Sequence, residues 1–260
     1  MGAQLRALLD HSSENGEAVA VPGAFNGLCA RAVAQAGFGA AYVSGGATSV
    51  CAGVPDVGLL TLDHFTRVVR EVAGNARRED GSRIPVLADA DTGFGEEEMV
   101  RRTVLEYAHA GAAGLHLEDQ VFPKRCGHLD GKELIPVEQA ASKIAWAAKA
   151  AKESCDPAFL VCARTDAAGV EGFDAAVERG KAFVDAGAGM LFPEGLRSED
   201  EFGRFAEALG PAVRTRGGAG VYLLANMTEF GKTPIIPLER FGGLGYHIVI
   251  YPVTFPVRIC

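Results

Sequence analysis

The sequence lacks the features by which several classes of protein are recognised. Its six cysteines form no CxxC pair and, with the histidines, no zinc-type spacing, so neither a disulfide framework nor a zinc site is expected. No run of eighteen apolar residues occurs, and Asp10 and Glu14 interrupt the stretch in which a secretory signal would lie. The sequence also has no run of basic residues, and its 25 Lys and Arg against 33 Asp and Glu give a formal charge of −8. We therefore expect a cytoplasmic protein with neither a membrane nor a nucleic-acid partner.

The six cysteines differ in their neighbours along the chain. Cys29 and Cys162 lie in apolar segments and are expected to be reduced core thiols. Cys126 is preceded by a Lys-Arg pair and followed by Gly-His. Nearby positive charge lowers the pKa of a thiol from about 8.5 to between about 3.5 and 7.5. We therefore expect Cys126 to be the reactive cysteine.

Short apolar runs alternate with longer segments of helical periodicity along the whole chain. The short runs predict strands near residues 18–21, 40–43, 84–88, 114–117, 159–163, 189–192, 221–225 and 246–250. The longer segments predict helices near residues 25–36, 62–78, 96–110, 138–153, 171–186, 198–209 and 237–242. Eight strands in such alternation predict a (β/α)8 TIM-type barrel forming a single domain, residues 1–260. An open doubly wound sheet is the alternative.

The end of the sequence comes soon after the last predicted strand. Only ten residues follow residue 250, so we expect no helix to cover the eighth strand. An uncovered barrel would expose a larger apolar patch than monomers normally tolerate. We expect either that a partner subunit covers this patch in a homo-oligomer or that the sequence is truncated.

Polar residues follow six of the eight predicted strands. In a barrel of this type, the carboxyl ends of the strands build the active site. Any one of these polar groups alone could be a solvated turn, but six at one rim predict a single site. The groups are Ser44 to Gly46, Asp89 with Asp91, Glu118 with the segment that carries Cys126, Arg164 to Asp166, Glu194, and Asn226 to Glu229.

Two of these groups indicate a metal and its ligand. Asp89 and Asp91 stand two residues apart and point the same way, which suits a hard divalent cation, unless they are turn-forming acids. Mg²⁺ is expected, with Mn²⁺ as the alternative, because Mg²⁺ accepts one or two carboxylates and completes its shell with water and substrate. Arg164 and the amide groups of Ser44, Gly45 and Gly46 can bind carboxylates. The expected ligand is a small di- or tricarboxylate.

Eight segments of the sequence resemble the isocitrate lyase and phosphoenolpyruvate mutase superfamily, over about residues 20–253. The segment KRCGH is typical of the carbon–carbon lyases in that superfamily, and mutase-like members lack it. The matching segments are SGG at 44–46, GVPD at 53–56, DADTGFG at 89–95, GLHLEDQ at 114–120, KRCGH at 124–128, ARTDA at 163–167, LFPE at 191–194 and NMTEFGKTP at 226–234.

The resemblance implies a Mg²⁺-dependent lyase that cleaves 2-methylisocitrate into pyruvate and succinate in propionate catabolism by the methylcitrate cycle. Cleavage of 2,3-dimethylmalate, hydrolysis of oxaloacetate, or a truncated inactive barrel are the alternatives. The resemblance also implies a tetramer whose C-terminal helices swap between subunits, and we expect this sequence to lack those helices. Arg258 stands one residue later than the family's arginine, which leaves its role open.

The resemblance further implies a role for each matching residue. It assigns catalysis to Cys126, Lys124 and Glu118, and metal binding to Asp89 and Asp91, with Asp56 and Glu118 in the outer sphere of the metal. It assigns substrate binding to Ser44, Gly45, Gly46, Gly127, His128, Arg164, Glu194, Asn226 and Thr228.

Overall fold

A computed structural model shows eight parallel strands in a nearly closed barrel and describes residues 1–127, 131–214, 219–228, 231 and 233–253. Arg258 lies outside the described residues. Every predicted strand is confirmed, with ends that differ by no more than two residues. The strands are β1 Val19–Pro22, β2 Ala41–Val43, β3 Val86–Asp89, β4 Gly114–Glu118, β5 Leu160–Thr165, β6 Met190–Pro193, β7 Tyr222–Asn226 and β8 Ile248–Tyr251.

The pairing of the first strand with the last decides between the two predicted architectures. Val19 in β1 pairs with Ile248 in β8, and a bridge between Gly23 and Tyr42 joins the end of β1 to β2. An added Cβ on Gly23 would collide with the carbonyl oxygen of Pro252, so glycine permits this close approach beside β8. An open doubly wound sheet would leave its edge strands unpaired, so the structure is a TIM-type barrel.

Ten α-helices are described, and all seven predicted helices are among them. Helices α1, α3 and α7 and a 3-10 turn at Gly210–Ala212 were not predicted from the sequence. No helix in the described part of the chain is both long and apolar enough to cross a membrane. The helices are α1 Gly2–Asn15, α2 Gly27–Gln35, α3 Gly45–Cys51, α4 Leu62–Asn75, α5 Glu97–Ala110, α6 Val137–Glu153, α7 Ala167–Val170, α8 Phe173–Asp185, α9 Glu199–Leu209 and α10 Leu238–Gly243.

Helix α1 covers the amino ends of the strands. Its Leu5 and Leu9 are fully buried with the residues that fill the inside of the barrel. Tyr222, at the start of β7, donates a hydrogen bond of 2.5 Å to Asp10 on the same helix. The helix was missed because its buried apolar residues are few and stand in a mostly polar segment.

Alternation along β3 and β4 brings two acids to the inside of the barrel at its carboxyl end. Leu87 packs inside the barrel, whereas the residues on either side of it pack against the helices. His116 contacts aromatic rings of the same inner cluster. Because side chains two residues apart share a face of a strand, Asp89 follows Leu87 and Glu118 follows His116 to the inside.

No disulfide bond joins any two of the described cysteines. Cys29 and Cys162 are buried in the core, as predicted, while Cys51 and Cys155 are exposed. Burial raises the pKa of Cys162 well above its ordinary value, which makes this thiol unreactive at neutral pH. Cys126 is half-buried and lies at the carboxyl end of the barrel.

Candidate active site

Asp89 and Asp91 are held together by backbone amide groups. The amide of Gly45 donates to Asp89 Oδ2 at 3.0 Å, and the amide of Asp91 donates to Asp89 Oδ1 at 2.9 Å. Asp91 has a φ of 45°, a left-handed conformation that non-glycine residues seldom adopt. Tyr107 fixes the same turn by donating from its hydroxyl to the carbonyl of Asp89 at 2.8 Å. The two acids therefore form a preformed pair.

The segment Ser44 to Gly46 differs from the predicted loop of free amide donors. Ser44 is the N-cap of α3, and its hydroxyl accepts from the amide of Ala47 at 3.2 Å. The amide of Gly45 is directed at Asp89 instead of at the cavity. An added Cβ on Gly45 would lie 2.5 Å from Asp89 Oδ2, so this position requires glycine. Ser44 and Gly46 do line the cavity.

Lys124 places a buried ammonium group among the carboxylates. Its side chain is 3% exposed, it donates to Asp56, and its Nζ lies 3.0 Å from Asp91 Oδ1. Burial alone would lower the pKa of Lys124, but the carboxylates of Glu118, Asp91, Asp89 and Asp56 outweigh it and raise that pKa. Lys124 is therefore a cation at neutral pH, and its nearest acids are two of the predicted metal-site residues.

The acids around Lys124 differ in charge state. Burial raises the pKa of Asp91 to about 7, with Asp89 and Asp56 adding to the rise and Lys124 opposing it. Burial also raises the pKa of Glu118 well above its ordinary range, against the effect of Arg164 and Lys124. Burial likewise favours neutral Asp89, but His116, Lys124 and Arg164 outweigh it and lower its pKa. The cluster thus holds more acid than its cations neutralise.

The cluster fits a divalent metal in its donor chemistry. Neither oxygen of Glu118 accepts a hydrogen bond from any residue that the structure describes, although Oε2 lies 3.3 Å from Arg164 Nη1. Such buried, under-neutralised carboxylates favour a further positive charge nearby. Within the described ranges, no three His, Cys, Asp or Glu side chains converge as a ready-made metal cage. A few carboxylates without a complete protein cage suit Mg²⁺, which is held through one or two carboxylates together with water and substrate.

Arg164 faces the acids from the end of β5. Asp166 accepts from its Nε at 2.9 Å and from its Nη2 at 3.1 Å. The guanidinium lies over the ring of Phe192, with its carbon 5.2 Å from the ring centroid. Because Asp166 and Phe192 fix its plane, the guanidinium is preorganised to bind a carboxylate.

Glu194 and Asn226 form a hydrogen-bonded pair beside Arg164. Asn226 Nδ2 donates to Glu194 Oε2 at 3.0 Å, and Glu194 Oε1 accepts from the amide of Gly195 at 2.9 Å. The amide oxygen of Asn226 is buried and has no hydrogen-bond partner among the described residues. Glu194 and Asn226 therefore place hydrogen-bonding groups at a polar part of the cavity, and Thr228 lines the same cavity.

The structure brings most of the predicted site residues to one cavity of about 80 Å³. Glu118, Asp91 and Gly45 do not line it, and they lie next to residues that do. His128 lies outside the described residues. A bigger cavity of about 470 Å³ lies at the amino ends of β7 and β8 and contains none of the predicted site residues. Predicted residues lining the smaller cavity are Ser44, Gly46, Asp56, Asp89, Lys124, Cys126, Gly127, Arg164, Glu194, Asn226 and Thr228.

Comparison with known proteins identifies the family. The model of the family described as phosphoenolpyruvate phosphomutase matches residues 6–253. The chain belongs to this phosphoenolpyruvate mutase and isocitrate lyase family. "Probable 2-methylisocitrate lyase 1" of Corynebacterium glutamicum is 50% identical over 234 residues, 90% of this chain and 71% of that protein. The 2-methylisocitrate lyase of Bacillus subtilis is 43% identical, with the same coverage of 90% and 71%.

Solved structures of family members share the barrel. Oxaloacetate acetylhydrolase in complex with 3,3-difluorooxalacetate superimposes with a TM-score of 0.88 at 32% identity, over 99% of this chain and 82% of that one. A 2,3-dimethylmalate lyase gives 0.87 at 33% identity, over 99% and 80%. A phosphonopyruvate hydrolase, solved with oxalate and Mg²⁺, gives 0.79 at 31%, over 99% and 82%.

Sequence reasoning missed the buried polar pair beneath the acids of this family member. The hydroxyl of Tyr42 and Nε2 of His116 lie 2.7 Å apart, and His116 Nδ1 lies 3.7 Å from Asp89 Oδ1. Burial lowers the pKa of His116, against the opposing effect of Asp89. A signal was present, because His116 is a polar residue at an inward position of a strand, two residues before Glu118.

Proposed function

We propose that the chain is a Mg²⁺-dependent carbon–carbon lyase that cleaves 2-methylisocitrate into pyruvate and succinate. The observation that carries this proposal is the position of Cys126 and Gly127, which line the same cavity as Asp89 and Arg164. A cysteine of the lyase-type segment thus lines one cavity with an acid of the proposed metal site and an arginine suited to a carboxylate. Relatives named 2-methylisocitrate lyase at 39 to 50% identity support this choice of substrate.

Asp89 and Asp91 are the residues that we propose to hold the metal, with Asp56 and Glu118 beside them. When bound, a divalent cation lowers the pKa of a substrate hydroxyl and stabilises the growing carbonyl. Lys124 keeps Asp56 and Asp91 in place from the other side. The chain's own contribution at this end of the site is therefore to orient carboxylates and to limit their mutual repulsion.

Arg164 has the matching role at the other end of the substrate. As the hydroxyl gives its proton to a carboxylate of the acidic cluster, the carbon–carbon bond breaks and its electron pair moves onto the departing succinate, which becomes an aci-carboxylate. The guanidinium, preorganised by Asp166, stabilises that developing charge. Asn226 and Thr228 supply neutral hydrogen-bonding groups beside it. We propose that the thiol of Cys126 then donates a proton to the carbanionic carbon and releases succinate.

A competition between substrates tests the assignment. Pyruvate formation from 2-methylisocitrate and 2,3-dimethylmalate, and glyoxylate formation from isocitrate, are followed with lactate dehydrogenase and NADH, and hydrolysis of oxaloacetate is followed separately. We expect the highest kcat/KM for 2-methylisocitrate. A higher kcat/KM for any of the other three would replace the proposed substrate.

Cleavage of 2,3-dimethylmalate is the second candidate. The 2,3-dimethylmalate lyase of Eubacterium barkeri is 40% identical over 254 residues, 97% of this chain and 80% of that protein. This coverage exceeds that of the two 2-methylisocitrate lyases compared above, although the identity is lower. Both substrates undergo the same kind of bond cleavage, so the proposed roles of the residues hold for either one. The competition between substrates decides which of the two is preferred.

We also propose that the chain forms one barrel domain and assembles as a homo-oligomer. Several large apolar side chains lie on its surface, among them Leu28, which is 78% exposed, and Phe122, which is 63% exposed. Contact between subunits would remove such groups from water. Light scattering coupled to size-exclusion chromatography gives the mass in solution, and a monomer at micromolar concentration would contradict this assembly.

A further inference from the structure

The segment that carries Cys126 is fastened on both sides by side chains that do not line the cavity. We call residues 121–127 the cysteine loop. On its amino side, Gln120 is 2% exposed, its Nε2 donates to the carbonyl of Arg125 at 2.8 Å, and its Oε1 accepts from the amide of Arg125 at 2.9 Å. The position next to Cys126 is therefore tied to the end of β4.

On the carboxyl side, Lys132 reaches back to the loop. Its Nζ donates to the carbonyl of Gly127 at 2.5 Å and to Asp166 Oδ1 at 2.7 Å. The side chain of Lys132 is 6% exposed, and that of Asp166 is fully buried. A buried ammonium group without such partners would carry a large desolvation penalty, so its position is strongly determined.

Asp166 connects this ammonium group to the substrate-binding arginine. The same carboxylate that accepts from Lys132 accepts two hydrogen bonds from Arg164, and its own amide donates to Asp119 at 3.0 Å. Burial alone would raise the pKa of Asp166, but Arg164 and Lys132 outweigh it and hold that pKa below its usual value. Lys132 thus contacts the backbone next to Cys126 and the carboxylate that orients Arg164.

The cysteine loop and Arg164 are in close contact at Gly127. An added Cβ on Gly127 would lie 2.6 Å from Arg164 Nη2 and 2.9 Å from Glu194 Cγ. Gly127 therefore packs directly against both side chains, and a shift of the loop changes the gap between Cys126 and Arg164. The only hydrogen bond to the Gly127 carbonyl found among the described residues comes from Lys132.

We propose that Lys132 is a positioning residue that sets the distance between Cys126 and Arg164 by bonding the Gly127 carbonyl and the Asp166 carboxylate together. The inference rests on the proposed lyase function, in which the thiol and the guanidinium act on the same departing fragment. A misplacement of about 1 Å between such groups can reduce the rate by about 100-fold. Lys132 touches neither the cavity nor the reacting atoms, so its effect passes through Gly127 and Asp166.

Three variants separate positioning from general stability. Lys132→Met keeps a long side chain but removes both hydrogen bonds, whereas Lys132→Arg keeps the positive charge and the hydrogen-bond donors. Lys181→Met is the matched control, because Lys181 is half exposed and its ion pair in the described part of the chain is with the exposed Glu178. We expect kcat to fall by roughly 10- to 100-fold in Lys132→Met, with a smaller change in KM, partial recovery in Lys132→Arg and none of these effects in the control.

A second readout needs no substrate. The alkylation rate of Cys126 by iodoacetamide, measured by peptide mass spectrometry, reports the placement of the loop, and the exposed Cys51 is the internal reference. In Lys132→Met we expect the Cys126 rate to change several-fold while the Cys51 rate stays the same. Lys132→Gln, whose amide cannot span both partners, replaces the Met variant if the latter does not fold.

The outcomes distinguish this inference from the proposed function. A wild-type protein without lyase activity would overturn the function, and an altered Cys126 alkylation rate in Lys132→Met would still support the role of Lys132 in loop placement. An active wild type with unchanged kcat and unchanged alkylation in the variant would overturn the inference. A fall in melting temperature with unchanged kcat in the folded fraction would overturn it too, since it would show a stabilising role alone.

Discussion

Nζ of Lys124 lies 3.0 Å from Oδ1 of Asp91, so the loop that carries Cys126 reaches into the acidic end of the site. Lys124 also donates to Asp56, which belongs to a different part of the chain. The cysteine loop is thereby joined to the carboxylates through Lys124 and to the arginine side of the cavity through Gly127. One segment thus connects the two ends of the site between which the substrate is proposed to bind.

Replacing Asp91 tests the proposed metal site. In Asp91→Asn, the neutral amide is a weaker ligand, and we expect the Mg²⁺ concentration for half-maximal activity to rise by roughly 10-fold or more. The measurement is a Mg²⁺ titration of initial rate. Asp63→Asn is the control, because the Asp63 side chain is 87% exposed. Equal Mg²⁺ dependence in the two variants would argue against Asp91 as a ligand.

Gly45→Ala tests the close approach between α3 and Asp89. The added Cβ would lie 2.5 Å from Asp89 Oδ2, so either the carboxylate or the helix must move. We expect weaker Mg²⁺ binding, seen as a higher Mg²⁺ concentration for half-maximal activity, and a clear loss of kcat in a protein that still folds. Gly74→Ala is the matched control, since Gly74 lies in helix α4 with nothing near its Cβ position. Alanine there is expected to stabilise the helix by about 0.5–1 kcal/mol, and similar activity in both variants would contradict the prediction.

The predicted role of Cys126 is proton donation and not binding. In Cys126→Ser, kcat for cleavage is therefore expected to fall by roughly 100-fold or more, in the range of general acid catalysis. Binding of succinate or of substrate, measured by calorimetry, should be retained. Cys155→Ser is the control, because Cys155 is exposed on the surface. Full turnover by Cys126→Ser would remove the assigned role.

The buried Asp119 gives a prediction for stability against pH. Burial, reinforced by Asp166, raises its pKa to about 6, and Arg179 opposes that rise with Nη1 at 3.2 Å from Oδ2. In Arg179→Met the folded-state pKa of Asp119 rises further, so ionising it costs more in the folded protein than in the unfolded one. The loss of unfolding free energy relative to wild type should therefore be smaller at pH 5 and grow as pH rises above about 6.

Urea unfolding at pH 5, 6, 7 and 8 measures this dependence. Arg102→Met is the control, because the Arg102 side chain is 55% exposed and its ion pairs are at the surface. A loss of stability in Arg179→Met that is constant across these pH values would show that Asp119 does not titrate as described.

Much of the fold and of the site could be predicted because both depend on short sequence patterns. Apolar runs located the strands, and the two-residue spacing of Asp89 and Asp91 indicated a shared direction. The resemblance then assigned roles to residues such as Lys124. Pairing between distant residues could not be predicted in this way. The contact of Lys124 with Asp56 spans 68 positions, and that of Lys132 with Asp166 spans 34.

Local conformation explains why the segment Ser44-Gly45-Gly46 differs from its prediction. Ser44-Gly45-Gly46 has the composition of a loop, and its glycines predicted free amide donors. The N-cap hydrogen bond of Ser44 instead starts α3 there, and the carboxylate of Asp89 takes the amide of Gly45. A sequence pattern predicts which groups are available, whereas their partners depend on how β2 and β3 lie side by side.

The most direct test of the account is the formation of products from 2-methylisocitrate by the purified protein, with Mg²⁺ and with EDTA. Pyruvate is measured enzymatically and succinate by chromatography. A Mg²⁺-dependent lyase should form equal amounts of both products with Mg²⁺, show no turnover with EDTA, and recover when Mg²⁺ is added back in excess. Turnover that is undiminished by EDTA, or a folded protein that forms neither product at any Mg²⁺ concentration, would contradict it.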